Sequence, residues 1–97
     1  MALTLAQIVQ TLGGDFFGNP DQQILRLATL SNAGSSDLSF LSHARYQSML
    51  ATTEAACVVL SADVPADLRL GLKSRIETPD PYLYFAKLTQ LWKQSGT

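Results

Sequence analysis

The side chains that could do chemistry here are few, and their placement argues against catalysis. The sequence holds one histidine, His43, and one cysteine, Cys57, in 97 residues. A catalytic nucleophile needs a base within hydrogen-bond reach and a third group to orient that base. Nothing in the spacing of His43 and Cys57 recommends such a pair. Cys57 lies inside Ala56-Cys57-Val58-Val59-Leu60, where a thiol acts as a small core hydrophobe. A zinc site takes three or four ligands, but the carboxylates are scattered singly through turns and caps, so no metal and no other cofactor is expected. Gly13-Gly14 follows a helical pattern rather than a strand, and no glycine-rich phosphate signature accompanies it, so it reads as a helix stop. The informative segment is Phe40-Leu41-Ser42-His43-Ala44-Arg45-Tyr46. It sets two aromatic rings six residues apart across a strand-to-helix junction.

Composition narrows the classes further. Net charge is -1, with no block of like charges, which argues against a nucleic-acid surface and against a polybasic membrane patch. The apolar share of 46% and charged share of 15% suit one small folded domain. No run approaches the roughly 20 apolar residues that span a bilayer. Met1-Ala2-Leu3-Thr4-Leu5 lacks the basic start and long apolar core of a secretory signal. A single cysteine allows no internal disulfide. A cytoplasmic location is expected.

The elements that must position the aromatic segment are signalled unevenly. Thr4-Leu5-Ala6-Gln7 is a capping box, followed by the helical stripe Leu5, Ile8, Val9 and Leu12. Asp15 to Gly18 reads as a short strand, closed by the turn Gly18-Asn19-Pro20-Asp21. Ile24 to Leu30 reads as a second strand covered on both faces, Asn32 to Asp37 as loop, and Leu38 to Leu41 as a third strand. A helix is expected from Ser42, as N-cap, to about Thr53, with Tyr46, Met49 and Leu50 on one face. Ala56 to Leu60 is a continuous apolar run and the most deeply buried strand; Val64 to Leu72 has room for one short helix. Arg75 to Thr78 is the last strand. Asp80-Pro81 opens a final helix with the stripe Tyr84, Phe85, Leu88, Leu91 and Trp92, and Gln94 to Thr97 reads as linker. The fold class is therefore α/β: a small mixed, partly parallel sheet with about three helices, forming a single domain over residues 1–97.

Packing alone offers an account of each residue in the aromatic segment. Leu41 and Tyr46 occupy the two positions of a hydrophobic staple around Ser42. Phe40 alternates with Leu38 in a strand and reads as core. His43 and Arg45 read as solvated residues of a helix start, while Tyr82, Tyr84 and Trp92 belong to the packing of the final helix.

The order of landmarks resembles the N-terminal domain of UDP-3-O-(3-hydroxyacyl)glucosamine N-acyltransferases. Leu12-Gly13-Gly14 and Gly18-Asn19-Pro20-Asp21 are similar to that family's helix stop and turn. Leu30 to Leu41 resembles the loop leading into an F-L-x-N-P-K-Y segment; Ala55-Ala56-Cys57-Val58-Val59 is like its buried strand, and Asp80-Pro81-Tyr82 with Phe85-Ala86 is like the start of its last helix. The likeness runs over nearly the whole chain.

The resemblance implies a uridine-recognising domain of an enzyme of lipid A biosynthesis in Gram-negative bacteria. Such an enzyme moves a 3-hydroxyacyl group from acyl carrier protein to the 2-amine of UDP-3-O-acylglucosamine. The catalytic histidine and the trimer contacts belong to a following left-handed β-helix of hexapeptide repeats. None of that pattern occurs here, so this chain is expected to be a non-catalytic monomer, and acyl carrier protein is expected to engage only the missing domain. By matching position, Phe40 and Tyr46 fall on the family's two uracil-stacking aromatics. His43 falls on its base-reading asparagine, Ala44 replaces its proline and Arg45 its lysine; Arg45 could steer a diphosphate. Two other classes stay open: a structural or docking domain without ligand, and the UDP-sugar-binding domain of a peptidoglycan ligase.

Overall fold

Capping and turn chemistry fix the first quarter of the chain. A computed structural model describes residues 3–41, 44–61 and 63–95. A two-residue strand that no sequence pattern announces, β1 (Leu3–Thr4), leads into α1 (Leu5–Leu12). The Gln7 amide donates to Thr4 Oγ1 at 3.2 Å, and the Thr4 amide donates to Gln7 Oε1 at 2.9 Å, completing the expected capping box. Gly13 and Gly14, at φ of 85° and 95°, then turn the chain as expected of a helix stop. At Gly14 a β-carbon would lie 2.9 Å from Ile76 Cγ2, so close packing adds a second demand for glycine.

The sheet follows. Its strands are β2 (Asp15–Phe17), β3 (Gln23–Ile24), β4 (Arg26–Leu27), β5 (Asp37–Phe40), β6 (Cys57–Leu60) and β7 (Arg75–Glu77). Five of them form one sheet in the order β2-β7-β6-β5-β4, while β1 and β3 make a separate antiparallel pair. Strands β4 to β7 run parallel, and only the edge strand β2 is antiparallel to its neighbour.

The single strand expected over Ile24 to Leu30 is instead two. Ile24 buries itself beside β1, Leu25 swings out to 57% exposure, and Arg26 and Leu27 join β5. The Leu25 amide donates to the Ser36 carbonyl at 2.8 Å, which lets the chain change sheets there without losing that bond. Leu30 already belongs to the loop beyond β4.

The run around Cys57 is buried throughout, as expected, and it is the central strand of the five. Cys57 and Val59 enter one core with Leu5, Ile8, Tyr84 and Leu88 of α1 and α3 (Pro81–Ser95). Val58 and Leu60 enter a second core with Leu50, Val64 and Leu68, beneath a 3-10 helix (Ala44–Ala51) and α2 (Ala66–Leu70). Two covered faces explain why the strand reads as continuous rather than alternating.

Three further expectations change. The helix after β5 is a 3-10 helix, and it ends at Ala51 rather than Thr53. At three residues per turn its i and i+3 side chains eclipse, which aligns Tyr46 with Met49. Its expected N-cap, Ser42, lies outside the described residues. The final helix takes in Gln94 and Ser95, which had read as linker; Leu83 donates its amide to Asp80 Oδ1 at 3.1 Å, fulfilling the expected N-cap. Tyr82 is 69% exposed rather than packed in the helix core, meeting Phe40 edge-on from the first turn.

Candidate functional site

Phe40 is the last residue of β5, and its half-buried ring leans on α3. Phe85 stacks on it, with ring centroids 4.0 Å apart and planes 20° from parallel. Tyr82 meets it edge-on at 6.2 Å. Strand register and helix spacing thus fix the Phe40 ring from below, since residues three apart on α3 share a face.

Tyr46 stands on the 3-10 helix and packs against the second core, the one that also holds Leu41. The helix begins at Ala44, so Tyr46 is its third residue, and the Ser42 N-cap on which the expected staple rests lies outside the described residues. The neighbouring Arg45 is exposed. Its Nη2 donates to the Tyr46 hydroxyl at 2.9 Å, and its guanidinium carbon lies 4.9 Å from the Tyr46 ring centroid.

Phe40 and Tyr46 come together as walls of one hollow of about 310 Å³, completed by Thr29, Leu30, Ser31 and Met49. The hollow opens beyond the carboxyl ends of β4 and β5, the customary ligand position in open α/β sheets. Its size sits at the small end of ligand pockets. Two aromatic rings and two hydroxyl side chains on one hollow can take a flat, polar-edged ligand; among the described lining residues there is no carboxylate, imidazole or amine to move a proton. Of the residues singled out by sequence, Phe40 and Tyr46 line the hollow and Arg45 touches Tyr46. His43 lies outside the described residues.

Sequence reasoning missed Thr29, Leu30, Ser31 and Met49. Met49 follows Tyr46 by three residues on the same helix, and for Thr29, Leu30 and Ser31 the signal was topological: a loop leaving the carboxyl end of a parallel strand. That loop is firmly held. Asp37 accepts both carboxylate bonds of Arg26 Nε, at 2.9 and 3.0 Å, and the Gly34 amide at 2.9 Å. Its hydrogen bond with Arg26 holds the Asp37 carboxyl below the usual carboxylate range, against the opposing effect of its burial, with help from Gly34. On the far side the Thr53 hydroxyl donates to the Leu30 carbonyl at 2.9 Å, tying the loop to the end of the 3-10 helix.

Elsewhere, Glu77, Cys57 and Tyr84 are held by ion pairs or by burial. Glu77 accepts from Arg69 Nη1 and Arg75 Nε, each at 2.8 Å, and these bonds, Arg75 foremost, hold its carboxyl below the usual range. Burial pushes the Cys57 thiol far up, which removes its nucleophilic form at neutral pH. Burial also pushes Tyr84 up to about 12 while its hydroxyl donates to the Gly13 carbonyl at 2.7 Å. No group of three or more His, Cys, Asp or Glu among the described residues could hold a metal ion. No described helix is long and apolar enough to cross a membrane.

Comparison with known proteins places this architecture. Residues 21–91 match the family described as UDP-3-O-(3-hydroxymyristoyl) glucosamine N-acyltransferase, LpxD. The UDP-3-O-acylglucosamine N-acyltransferase of Albidiferax ferrireducens is 47% identical over 95 residues, which is 98% of this chain and 29% of that relative. Its counterpart in Acidovorax sp. is 48% identical over 93 residues, 95% of this chain and 28% of the relative. That of Aromatoleum aromaticum is 44% identical over 88 residues, 91% of this chain and 25% of the relative. The chain thus spans between a quarter and three tenths of the length of these relatives. With the family's match covering well over half of its residues, this chain belongs to the UDP-3-O-acylglucosamine N-acyltransferase family.

Proposed function

We propose that this chain binds the uridine part of a UDP-acylglucosamine and carries no catalytic group of its own. The observation that supports this most is that Phe40 and Tyr46, six residues apart in sequence, face one hollow of a size suited to a single base. Each base–aromatic stack contributes about 1–3 kcal/mol. Thr29 and Ser31 offer hydroxyls at the rim, able to donate or accept toward polar edges of the ligand. His43 is proposed as the base-reading residue, from its place in the Phe40 to Tyr46 segment.

The parent enzyme, in this proposal, transfers a 3-hydroxyacyl group from acyl carrier protein to the 2-amine of UDP-3-O-acylglucosamine in the cytoplasm, as a homotrimer. Acyl carrier protein and the trimer partners engage parts of the enzyme other than these 97 residues, and the chain alone is a monomer without turnover. The competing reading is a docking domain without ligand, in which the Phe40–Phe85 stack is packing and nothing more.

A UMP titration followed by NMR separates the two. Binding with a dissociation constant on the order of 0.1–10 mM is expected, because two stacks must offset the lost freedom of the ligand. Shifts should gather on residues 29–31 and 40–49. Absent or scattered shifts at saturating UMP would favour the docking domain.

A further inference from the structure

Arg45 has two explanations within the uridine-binding reading, and geometry separates them. A cation next to a nucleotide site suggests a diphosphate contact. Yet the Arg45 guanidinium lies against the Tyr46 ring, 4.9 Å from its centroid, while Nη2 donates to the hydroxyl at 2.9 Å. These two contacts fix both the plane and the tip of one ring. Tyr46 lines the hollow, whereas Arg45 touches that ring and is not among the hollow's described lining residues. Phe40 has the same arrangement, with Phe85 stacked on it and likewise off the lining. Each of the two rings is therefore in contact with a second planar group that is not among the described lining residues.

That contact matters more for Tyr46. A 3-10 helix has poorer hydrogen-bond geometry than an α-helix, so the side chain needs contacts beyond its backbone to hold one orientation. A ring already pinned loses less freedom when a base stacks on it.

We propose that Arg45 is a positioning residue for nucleotide recognition, acting through the Tyr46 ring and not on the phosphates. The inference rests on the uridine-binding reading. It predicts that Arg45 contributes equally to binding of uridine, UMP and UDP. Losing the cation–ring contact and the hydroxyl bond should weaken each by about three- to ten-fold.

The test measures uridine, UMP and UDP affinities by NMR titration for the wild-type chain, Arg45→Gln and Arg45→Lys, at low and high salt. Tyr46 ring resonances are recorded in the ligand-free proteins. Arg45→Gln should move those resonances before any ligand is added and weaken all three ligands by one common factor, little changed by salt. Arg45→Lys, which keeps the charge without the planar fork, should recover only part of the loss. Unchanged uridine affinity, with a loss that grows from UMP to UDP and fades in salt, would overturn the inference and leave a phosphate contact. Unmoved ring resonances in Arg45→Gln would overturn it too. If the wild-type chain binds none of the three ligands, the uridine reading itself fails, a result distinct from either.

Discussion

Phe40 closes a four-residue strand with hydrogen-bonded neighbours on both sides, whereas Tyr46 stands on an eight-residue 3-10 helix beside an exposed arginine. Both rings face the same hollow, yet one is set by the sheet and the other by side chains. The backbone of Phe40 cannot shift without disturbing β6, with which it pairs at Val59. The position of Tyr46 depends on Leu41, Met49 and Arg45 around it. One wall is therefore held by backbone pairing and the other by side-chain contacts.

The comparison is sharpest under truncation. Phe40→Ala should abolish UMP binding and also cost about 2–4 kcal/mol of stability, because its ring fills space against α3. Tyr46→Ala should abolish binding as completely while costing only about 1–2 kcal/mol. Urea denaturation alongside UMP titration reads both quantities. Equal stability losses in the two variants would erase the distinction between a wall held by backbone pairing and one held by side chains.

A third perturbation addresses the loop that bears Thr29 to Ser31. Asp37 and Glu77 both have native carboxyls held below their unfolded values, near 3.9 and 4.3. A depressed native value stabilises the fold above the unfolded value, and that contribution is lost as pH falls through the native one. The urea midpoint should thus be level above about pH 5 and decline on further acidification. Asp37→Asn should cost about 1–3 kcal/mol at neutral pH and flatten the acid decline. A decline of undiminished steepness in that variant would assign the acid response elsewhere.

The smallest effect concerns what lies between the walls. Stacking holds a base without identifying it; recognition of its edge falls, in the proposed function, to His43. Asparagine presents a donor and an acceptor side by side, and a neutral imidazole presents one of each on opposite sides of the ring. His43→Asn should add a hydrogen bond worth about 0.5–1.5 kcal/mol, raising UMP affinity about two- to twelve-fold with a smaller gain for CMP. Equal UMP affinity in the two proteins would remove His43 from the site.

Local signals carried the ends of elements well. The capping box at Thr4, the positive-φ stop at Gly13 and the Asp80-Pro81 helix start all depend on residues within four positions of one another. The central strand was legible because burial on two faces leaves a continuous apolar run. Ile24 to Leu30 misled because β-propensity cannot show where a chain exchanges one sheet for another; the switch at Leu25 is made by a bond to the distant Ser36 carbonyl. The same limit hid half of the hollow. Phe40 and Tyr46 share one segment, but Thr29, Leu30 and Ser31 reach them only through the β4–β5 pairing and the Asp37 and Thr53 tethers.

Cys57, fully enclosed in the middle strand of the sheet, gives this protein an internal alarm for its own unfolding. A thiol with no solvent contact and a suppressed thiolate cannot meet an alkylating reagent while α1 and α3 stay packed on the sheet. Its labelling rate therefore counts the moments when that core opens. Loosening of the Tyr46 wall should pass unrecorded, and a breach near Phe40 should be heard at once.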